Sequence, residues 1–175
     1  AVTGNGNTPP YGSVTEPTTT GSDSLSGGKG GAALHVTATT AILNGVIEME
    51  GTRPGNVGGG SGGSIWIKTD VLQGSGASIS VQGGGGYYYA YGAGGGGRVA
   101  LTCTRSEYTG DWAGFSKVPT MLLGGGKGTH SGYEYMDASG GTAYVDCGDA
   151  DRALISSNRQ AGMFKYNTTL SEEGR

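Results

Sequence analysis

The two cysteines of the chain occupy equivalent places in a repeated stretch. Cys103 ends GGGGRVALTC and Cys147 ends the near-copy SGGTAYVDC, each six residues after a glycine, Gly97 or Gly141. Equivalent residues on neighbouring parallel strands lie about 4.8 Å apart, inside the Cα range of a disulfide. We therefore predict a Cys103–Cys147 disulfide joining adjacent copies. The alternative is a pair of free buried thiols, which pack as small hydrophobic groups.

Carboxylates, histidines and glycine loops give little support for catalysis or a metal site. The densest charged cluster, DCGDADR, comprises Asp146, Asp149, Asp151 and Arg152. These aspartates could bind Ca²⁺ through oxygen, but no calcium-binding repeat surrounds them, and a solvated turn fits the sequence better. His35 and His130 have no nearby cysteine partner for zinc. No serine–histidine–aspartate arrangement or phosphate loop is recognisable. We therefore predict no enzyme, no metal site and no cofactor.

Tyrosines are concentrated in two glycine-rich tracts. They are Tyr87, Tyr88, Tyr89, Tyr91, Tyr133 and Tyr135. A tyrosine supplies a large, rigid, amphipathic contact area, so these positions are predicted to form a contact surface for a sugar or a neighbouring subunit. The alternative is that the rings cover the glycine tract of their own chain. The sequence favours neither.

Two features point to an extracellular or cell-surface location. A disulfide persists in oxidising compartments. Asn167, followed by two threonines, also begins an acceptor sequence for N-glycosylation. Asn167 is therefore the candidate glycan position.

The composition excludes several classes of protein. Glycine supplies 39 of 175 residues without a Gly-X-Y period, so the chain is not collagen. A net charge of −3 and a charged fraction of 14% do not suggest a nucleic-acid partner, and no apolar run is long enough for membrane insertion. Each interior glycine costs a helix roughly 1 kcal/mol, so little or no helix is expected. The alternative, a disordered glycine-rich linker, does not explain the regular placement of apolar residues.

Internal repeats place these residues on strands. Copies begin at Ala32, Gly63, Gly97 and Gly141, at spacings of 31, 34 and 44 residues. The residues two and four positions after each start are all apolar: Leu34, Val36, Ile65, Ile67, Val99, Leu101, Ala143 and Val145. The positions between them are mixed: His35, Trp66, Ala100 and Tyr144. This alternation is typical of strands with one buried face.

A second strand is predicted to follow the first in each copy. The first two copies align Leu43 with Leu72, Ile47 with Ile79, and Met49 with Val81. The third copy, 108–126, carries an insertion before Met121 and Leu123, and the fourth, 153–162, matches least well.

The stacked copies predict an all-β fold, a glycine-rich parallel β-solenoid (β-helix-like) with long glycine-rich loops and little or no helix. One strand pair cannot bury its apolar face alone, whereas stacked copies build a continuous core. The glycine tracts are either solvent loops or polyproline-II-like segments packed against one another, since only glycine lets such backbones touch.

The repeated blocks resemble those of a known group of proteins. GGKGGAALHVTATTAILNGVIEMEG, GGGSGGSIWIKTDVLQGSGASISVQGG, GGGGRVALTC and GGTAYV resemble glycine-rich repeats of very large secreted and cell-surface proteins. These proteins are adhesin-like or fibre-forming and include those of flagellar hairs (mastigonemes). The resemblance covers residues 11–160 and implies a β-helical module in a long extracellular protein, with no catalytic motif to carry over. The chain departs from the pattern at the insertion 111–120 and at its two cysteines.

We expect residues 1–175 to form one module of a longer chain, with a repeat-like core at 11–160. The expected function is a structural building block of an extracellular filament or surface appendage. Its expected partners are copies of itself or neighbouring repeat segments. Uncapped strand edges at both ends would allow head-to-tail stacking. The alternative is an adhesin-like module that recognises glycans or a surface through its Tyr/Gly-rich loops.

Overall fold

The computed structural model describes residues 12–53, 55, 57–87, 92–112, 115–129, 138–148, 153–158 and 162–166. Within these residues the secondary structure is all β, with thirteen strands and no helix, as the composition predicts. In chain order the strands are β1 (Ala33–Leu43), β2 (Val46–Glu48), β3 (Ser64–Gly74), β4 (Ser78–Ser80), β5 (Gly86–Tyr87), β6 (Arg98–Ser106), β7 (Asp111–Trp112), β8 (Phe115–Ser116), β9 (Thr120–Leu122), β10 (Gly128–Thr129), β11 (Thr142–Cys147), β12 (Ala153–Asn158) and β13 (Gly162–Tyr166).

The first strands of the four copies form a parallel sheet in the register predicted from the repeats. The order of the six-stranded sheet is β1-β3-β6-β11-β12-β13. Leu34 pairs with Ile65, Ile65 with Val99, and Val99 with Ala143. Parallel strands with repeated alternation select this register, because a slip by one residue would turn every apolar side chain to the other face.

The pairing of the long strands of this sheet is interrupted at one level, which is called the bend below. Pairing is interrupted at Thr39, Asp70 and Thr104. From Ile65 onward, the buried residues of β3 are two apart before this point and three apart across it, at Thr69 and Leu72. The side-chain alternation therefore shifts by one residue at the bend, and the strands pair again beyond it.

A smaller parallel sheet, of order β2-β4-β9, holds the second strands of the first three copies. The predicted match of Ile47 with Ile79 is confirmed, and Met121 continues the row. The predicted match of Leu43 with Leu72 is wrong, because β1 continues through the bend and Leu43 pairs with Gly74. The second copy also has one more residue than the first between these strands, since the register offset rises from 31 to 32.

Apolar side chains of both parallel sheets form one hydrophobic core. Of the eight apolar positions predicted from the repeats, six are buried. The other two, Leu34 and Val36, are half-buried and pack against the same core. Both lie on β1, the edge strand of the sheet, so one side of their layer is open.

The last copy departs from the prediction. Residues 153–158 do not form a second strand of the parallel stack; β12 pairs antiparallel with β11, and β13 pairs antiparallel with β12. This hairpin covers the edge of β11 and makes β13 the edge strand on that side of the sheet. Edge strands invite pairing with other chains, and the hairpin removes that opportunity from β11.

The insertion of the third copy folds onto the core. β7 and β8 form a short antiparallel pair, and Tyr108, Trp112 and Val118 are buried in the core cluster. The Ala77 N–H donates a hydrogen bond of 2.6 Å to the Tyr108 hydroxyl oxygen. The insertion thereby adds apolar side chains to the layer that β9 supplies.

The described parts of the glycine tracts pack backbone against backbone and are not solvent loops. The same hydrogen bond recurs in successive copies: the N–H groups of Gly31, Gly62 and Gly96 donate to the carbonyls of Ser61, Gly95 and Ser139 at 2.8, 2.8 and 2.9 Å. A Cβ on Gly62 would overlap the carbonyl oxygen of Val81. Close approach of this kind is available only to glycine, which explains the composition of these tracts.

Candidate functional site

The structure brings Cys103 and Cys147 to disulfide distance. They are paired residues of β6 and β11, with their Cα atoms 4.3 Å apart. This is the pairing predicted from their equivalent places in the repeat. Cys147 is fully buried and Cys103 half-buried, so the link lies at the boundary between the core and the surface. It joins the third and fourth copies next to the bend.

One row of polar side chains crosses the outer face of the four parallel strands. Thr37 pairs with Lys68, Lys68 with Thr102, and Thr102 with Asp146. Each residue follows a core residue of its strand, so its side chain points away from the core. In-register parallel pairing therefore places a hydroxyl, an ammonium, a second hydroxyl and a carboxylate side by side.

An aromatic pair flanks this row. The rings of His35 and Trp66 stack with centroids 3.9 Å apart and an interplanar angle of 3°. The Trp66 indole donates a hydrogen bond of 3.3 Å to the Thr102 hydroxyl, and the Tyr144 hydroxyl donates one of 3.2 Å to Asp146. The sequence places His35 on an outward position but gives its contact with Trp66 no role. The repeat could have predicted this contact, because both residues stand three positions after the start of adjacent copies.

The row borders an open groove of about 280 Å³ at the bend. Its polar lining comprises Thr37, Lys68, Thr69, Asp70, Thr102, Thr104 and Asp146. Cys103 also lines it, so the disulfide fixes the strands on either side. Lys68, Asp70 and Thr104 are exposed, and Thr102 and Asp146 are half-buried. The groove therefore offers hydrogen-bond donors and acceptors on a surface held by four strands.

The N-terminal segment 12–20 crosses the strands at the other end of this face. Ser64 donates a hydrogen bond of 2.6 Å to the carbonyl of Thr19, and Arg98 donates one of 3.3 Å to the Thr19 hydroxyl. Pro17 is fully buried. The segment thus packs against the strand starts, and the groove lies at the strand ends.

Two carboxylates outside the groove have lowered pKa values. The pKa of Asp23 is lowered by hydrogen bonds from the Lys29 ammonium, at 2.7 Å, and from the Gly30 N–H, at 2.8 Å. The pKa of Glu107 is lowered mainly by a 2.6 Å hydrogen bond from Gln73 and also by Arg105. Opposite charge and donated hydrogen bonds both favour the ionised form.

Several predicted site residues lie outside the described residues. They are Tyr88, Tyr89, Tyr91, Tyr133, Tyr135, Asn167, His130, Asp149, Asp151 and Arg152. Of Tyr87 only the backbone is described, and it pairs with Thr129 where β5 meets β10. This pairing brings the two tyrosine-bearing tracts together at the point where 88–91 and 130–137 begin. Asp146 is in the groove.

The described part of the chain holds no group of three or more His, Cys, Asp or Glu side chains placed to bind a metal ion. In the same residues no helix is long and apolar enough to cross a membrane. Comparison with protein-family models, characterised proteins and solved structures finds no significant match. The resemblance to large cell-surface proteins therefore stays a prediction, and the function is argued from the residues themselves.

Proposed function

We propose that this chain is a structural module of an extracellular filament or surface appendage, without catalytic activity, and that its copies form a short β-solenoid. The observation that carries the proposal is the repetition of backbone hydrogen bonds from copy to copy. Gly63, Gly97 and Gly141 donate to the carbonyls of Met49, Val81 and Leu123 at 2.7, 2.7 and 2.6 Å. Each copy is thereby held to its neighbours through strands and glycine tracts alike, as in repeat proteins whose stability comes from stacking.

The glycine tracts support a mechanical role. A tract whose side chains are hydrogen atoms buries little apolar area, so its stability depends on backbone hydrogen bonds and close contact. Such a bundle offers no side chains for chemistry, but it resists bending because every layer is fixed to the next. The disulfide between Cys103 and Cys147 adds a covalent tie between layers, and disulfides of this kind are typical of extracellular proteins.

Localisation of the native protein tests this proposal. Antibodies raised against the purified chain should label filaments or appendages in immunogold electron microscopy of the source cells, at intervals along the fibre. An antibody against an unrelated soluble protein of the same cells serves as the control. Label confined to the cell interior, or absent from every fibre, would contradict the proposal.

The tyrosine-bearing tracts are the proposed contact surface with neighbouring subunits, and glycan recognition through them is the second candidate function. Both are favoured by the pairing of Gly86 with Gly128, which joins the two tracts. Replacing Tyr87, Tyr88, Tyr89 and Tyr91 by serine should lower self-association in sedimentation velocity if the surface joins subunits. It should lower binding to a glycan array instead if the surface recognises sugars. An unfolded variant, shown by circular dichroism, would mean that the rings belong to the module's own core.

A further inference from the structure

The groove at the bend has a lining suited to one class of ligand. Its row of Thr37, Lys68, Thr102 and Asp146 presents groups that donate, accept or do both. A threonine hydroxyl both donates and accepts, an ammonium only donates, and a carboxylate only accepts. A ligand that matches this row must carry several groups able to donate and accept, spaced along one edge. The hydroxyls of a saccharide meet this requirement.

The charges of the groove further restrict the class of ligand that it can bind. Lys68 is its cation, and Asp70 and Asp146 are its carboxylates, so the two signs leave an excess of one negative charge. An anionic ligand such as a uronic acid chain is therefore disfavoured. Among the described residues no set of three metal-binding side chains is present, so nothing assigns the carboxylates to a cation. The charges therefore disfavour an anionic ligand, and the mixed donors and acceptors of the row favour an uncharged one.

The aromatic pair supplies the second element of saccharide recognition. Trp66 is half-buried, and its indole N–H contacts Thr102 in the groove lining. The two rings cover one face of each other, and the stack adjoins the polar row through this hydrogen bond without lining the groove itself; His35, its other member, is exposed. Aromatic rings beside hydrogen-bonding groups receive the apolar C–H face of a sugar while its hydroxyls reach the polar side chains.

The groove is also fixed in shape before any ligand arrives. Neighbouring strands β1, β3, β6 and β11 carry its lining, and the Cys103–Cys147 link ties the last two. The Gly148 N–H donates a hydrogen bond of 3.1 Å to the carbonyl of Cys103, which extends the pairing beyond the strand end. A preorganised surface loses less conformational freedom on binding.

We propose that the groove at the bend binds a neutral oligosaccharide, with Asp146, Lys68 and Thr102 bonding its hydroxyls and Trp66 and His35 contacting its apolar face. The volume of about 280 Å³ accommodates one or two sugar rings of a longer chain. The site is separate from the tyrosine tracts, and its existence does not depend on the filament function.

Titration of the ¹⁵N-labelled full chain with cellohexaose, mannohexaose and chitohexaose, followed by NMR, tests the proposal. At least one of these probes should shift the amide signals of Thr102, Thr104 and Asp146, and tetragalacturonate should not. Asp146→Asn should weaken that binding about tenfold, since hydrogen bonds to charged groups contribute that much. Glu48→Gln, which alters an exposed carboxylate of β2 on the other sheet, should leave the affinity unchanged.

The remaining outcomes separate this site from its alternatives. Because Asp146 also contacts Tyr144, its substitution can disturb the fold. Thr104→Val, at an exposed position of the lining, is the second test and should also weaken binding of the probe. The serine variant of the four tyrosines at 87–91 should bind the probe as the parent does. Absence of shifts in the groove with every neutral probe would overturn the proposal. So would equal binding of tetragalacturonate, or equal loss of affinity in Asp146→Asn and Glu48→Gln.

Discussion

At individual positions, the requirement for glycine is set by what a Cβ would meet. On Gly63, Gly97 and Gly141 a Cβ would overlap the carbonyl of the equivalent residue in the preceding copy. The first copy begins with Ala32, which is exposed and directly precedes β1, the edge strand of the sheet in the described residues. The repeat therefore demands glycine where two copies touch, and tolerates alanine where they do not.

Two alanine substitutions in the tracts should differ in sign. Gly62→Ala places a Cβ on the carbonyl oxygen of Val81, and backbone cannot yield cheaply, so it should destabilise the fold by about 3 kcal/mol. Gly92→Ala meets no atom within 4 Å and should stabilise it by about 0.5 kcal/mol through the unfolded state. Urea unfolding measures both. Equal effects would mean that the tracts do not touch as described.

The disulfide should carry a large share of the stability. The link closes a loop between residues 44 apart in sequence, and the chain-entropy model assigns such a loop about 4 kcal/mol. The double variant Cys103→Ser with Cys147→Ser should lose a comparable amount in urea unfolding. Thiol labelling of the denatured, unreduced parent should modify neither cysteine. Full labelling would show that the cysteines are not joined.

Lowering the pH should weaken the hydrogen bonds and ion pairs that the Asp23 and Glu107 carboxylates accept. Both pKa values are lowered in the folded state, so their contribution is present above the ordinary carboxyl pKa of about 4 and is lost as the pH falls through the folded value. Carbon-detected NMR titration should find both below their ordinary range. Lys29→Met should raise the pKa of Asp23 and leave that of Glu107 unchanged. A shift of both would mean that the effect is not local.

At the scale of elements, the insertion in the third copy is part of the core. Ser106 donates a hydrogen bond of 2.6 Å to the carbonyl of Lys117, and Tyr108 lies between this contact and Ala77. Lys117 has a φ of 61°, a backbone conformation that residues other than glycine rarely adopt. The hydrogen bond that its carbonyl accepts from Ser106 stabilises this conformation. The added residues are thus attached to the rest of the fold at two points, Ser106 and Ala77, and do not form a free loop.

Tyr108→Phe should test the attachment of the insertion. The variant leaves the Ala77 N–H, in a buried position, without its acceptor, which should lower stability by about 2 kcal/mol. Tyr144→Phe is the matched control, because its hydroxyl bonds Asp146 at the surface of the sheet, and it should lose less than about 1 kcal/mol. Thermal or urea unfolding compares the two. A larger loss of stability in Tyr144→Phe would mean that the hydrogen bond on the outer face contributes more to stability than the hydrogen bond that attaches the insertion.

At the scale of the whole molecule, neither end of the parallel stack offers a place for a further parallel copy in register, and the reason differs between the two ends. The hairpin β12–β13 covers the last parallel strand. At the first strand, the Cβ of Ala32 points where the carbonyl of a further copy would lie, by analogy with Gly63 and Gly97. Half-buried Leu34 and Val36 remain there, so the end is apolar yet unsuited to another copy in the same register. We therefore expect assembly of this segment to run through the tyrosine tracts and not through its ends.

Ala32→Gly should open the first end. Without that methyl group another chain can approach β1 as closely as β3 does, and self-association should rise several-fold, about 1 kcal/mol in the association free energy. Ala33→Gly removes the same group one position on and should not change it. Sedimentation velocity across a concentration series compares the variants with the parent. Equal behaviour of all three would show that Ala32 does not limit stacking.

The sequence by itself determined which residues lie on the first strands and how these strands align. The alternation in the four copies places Leu34, Ile65, Val99 and Ala143 in one row, and the same count brings Cys103 to Cys147. This was readable because parallel in-register strands put equivalent residues of a repeat side by side, and burial of one face forbids a slip.

Only the tertiary structure decided the second strands, the end of the stack and the groove. The extra residue before β4 falls near Gly74 and Gly76, whose φ values of 115° and 64° turn the chain, and glycine carries no side-chain pattern that fixes such a register. β12 runs antiparallel to β11, and its residues match the repeat too poorly to predict this direction. Residues 37, 68, 102 and 146 form a binding surface only once the strands that carry them are paired, because each alone is an ordinary polar residue on the outer face of a strand.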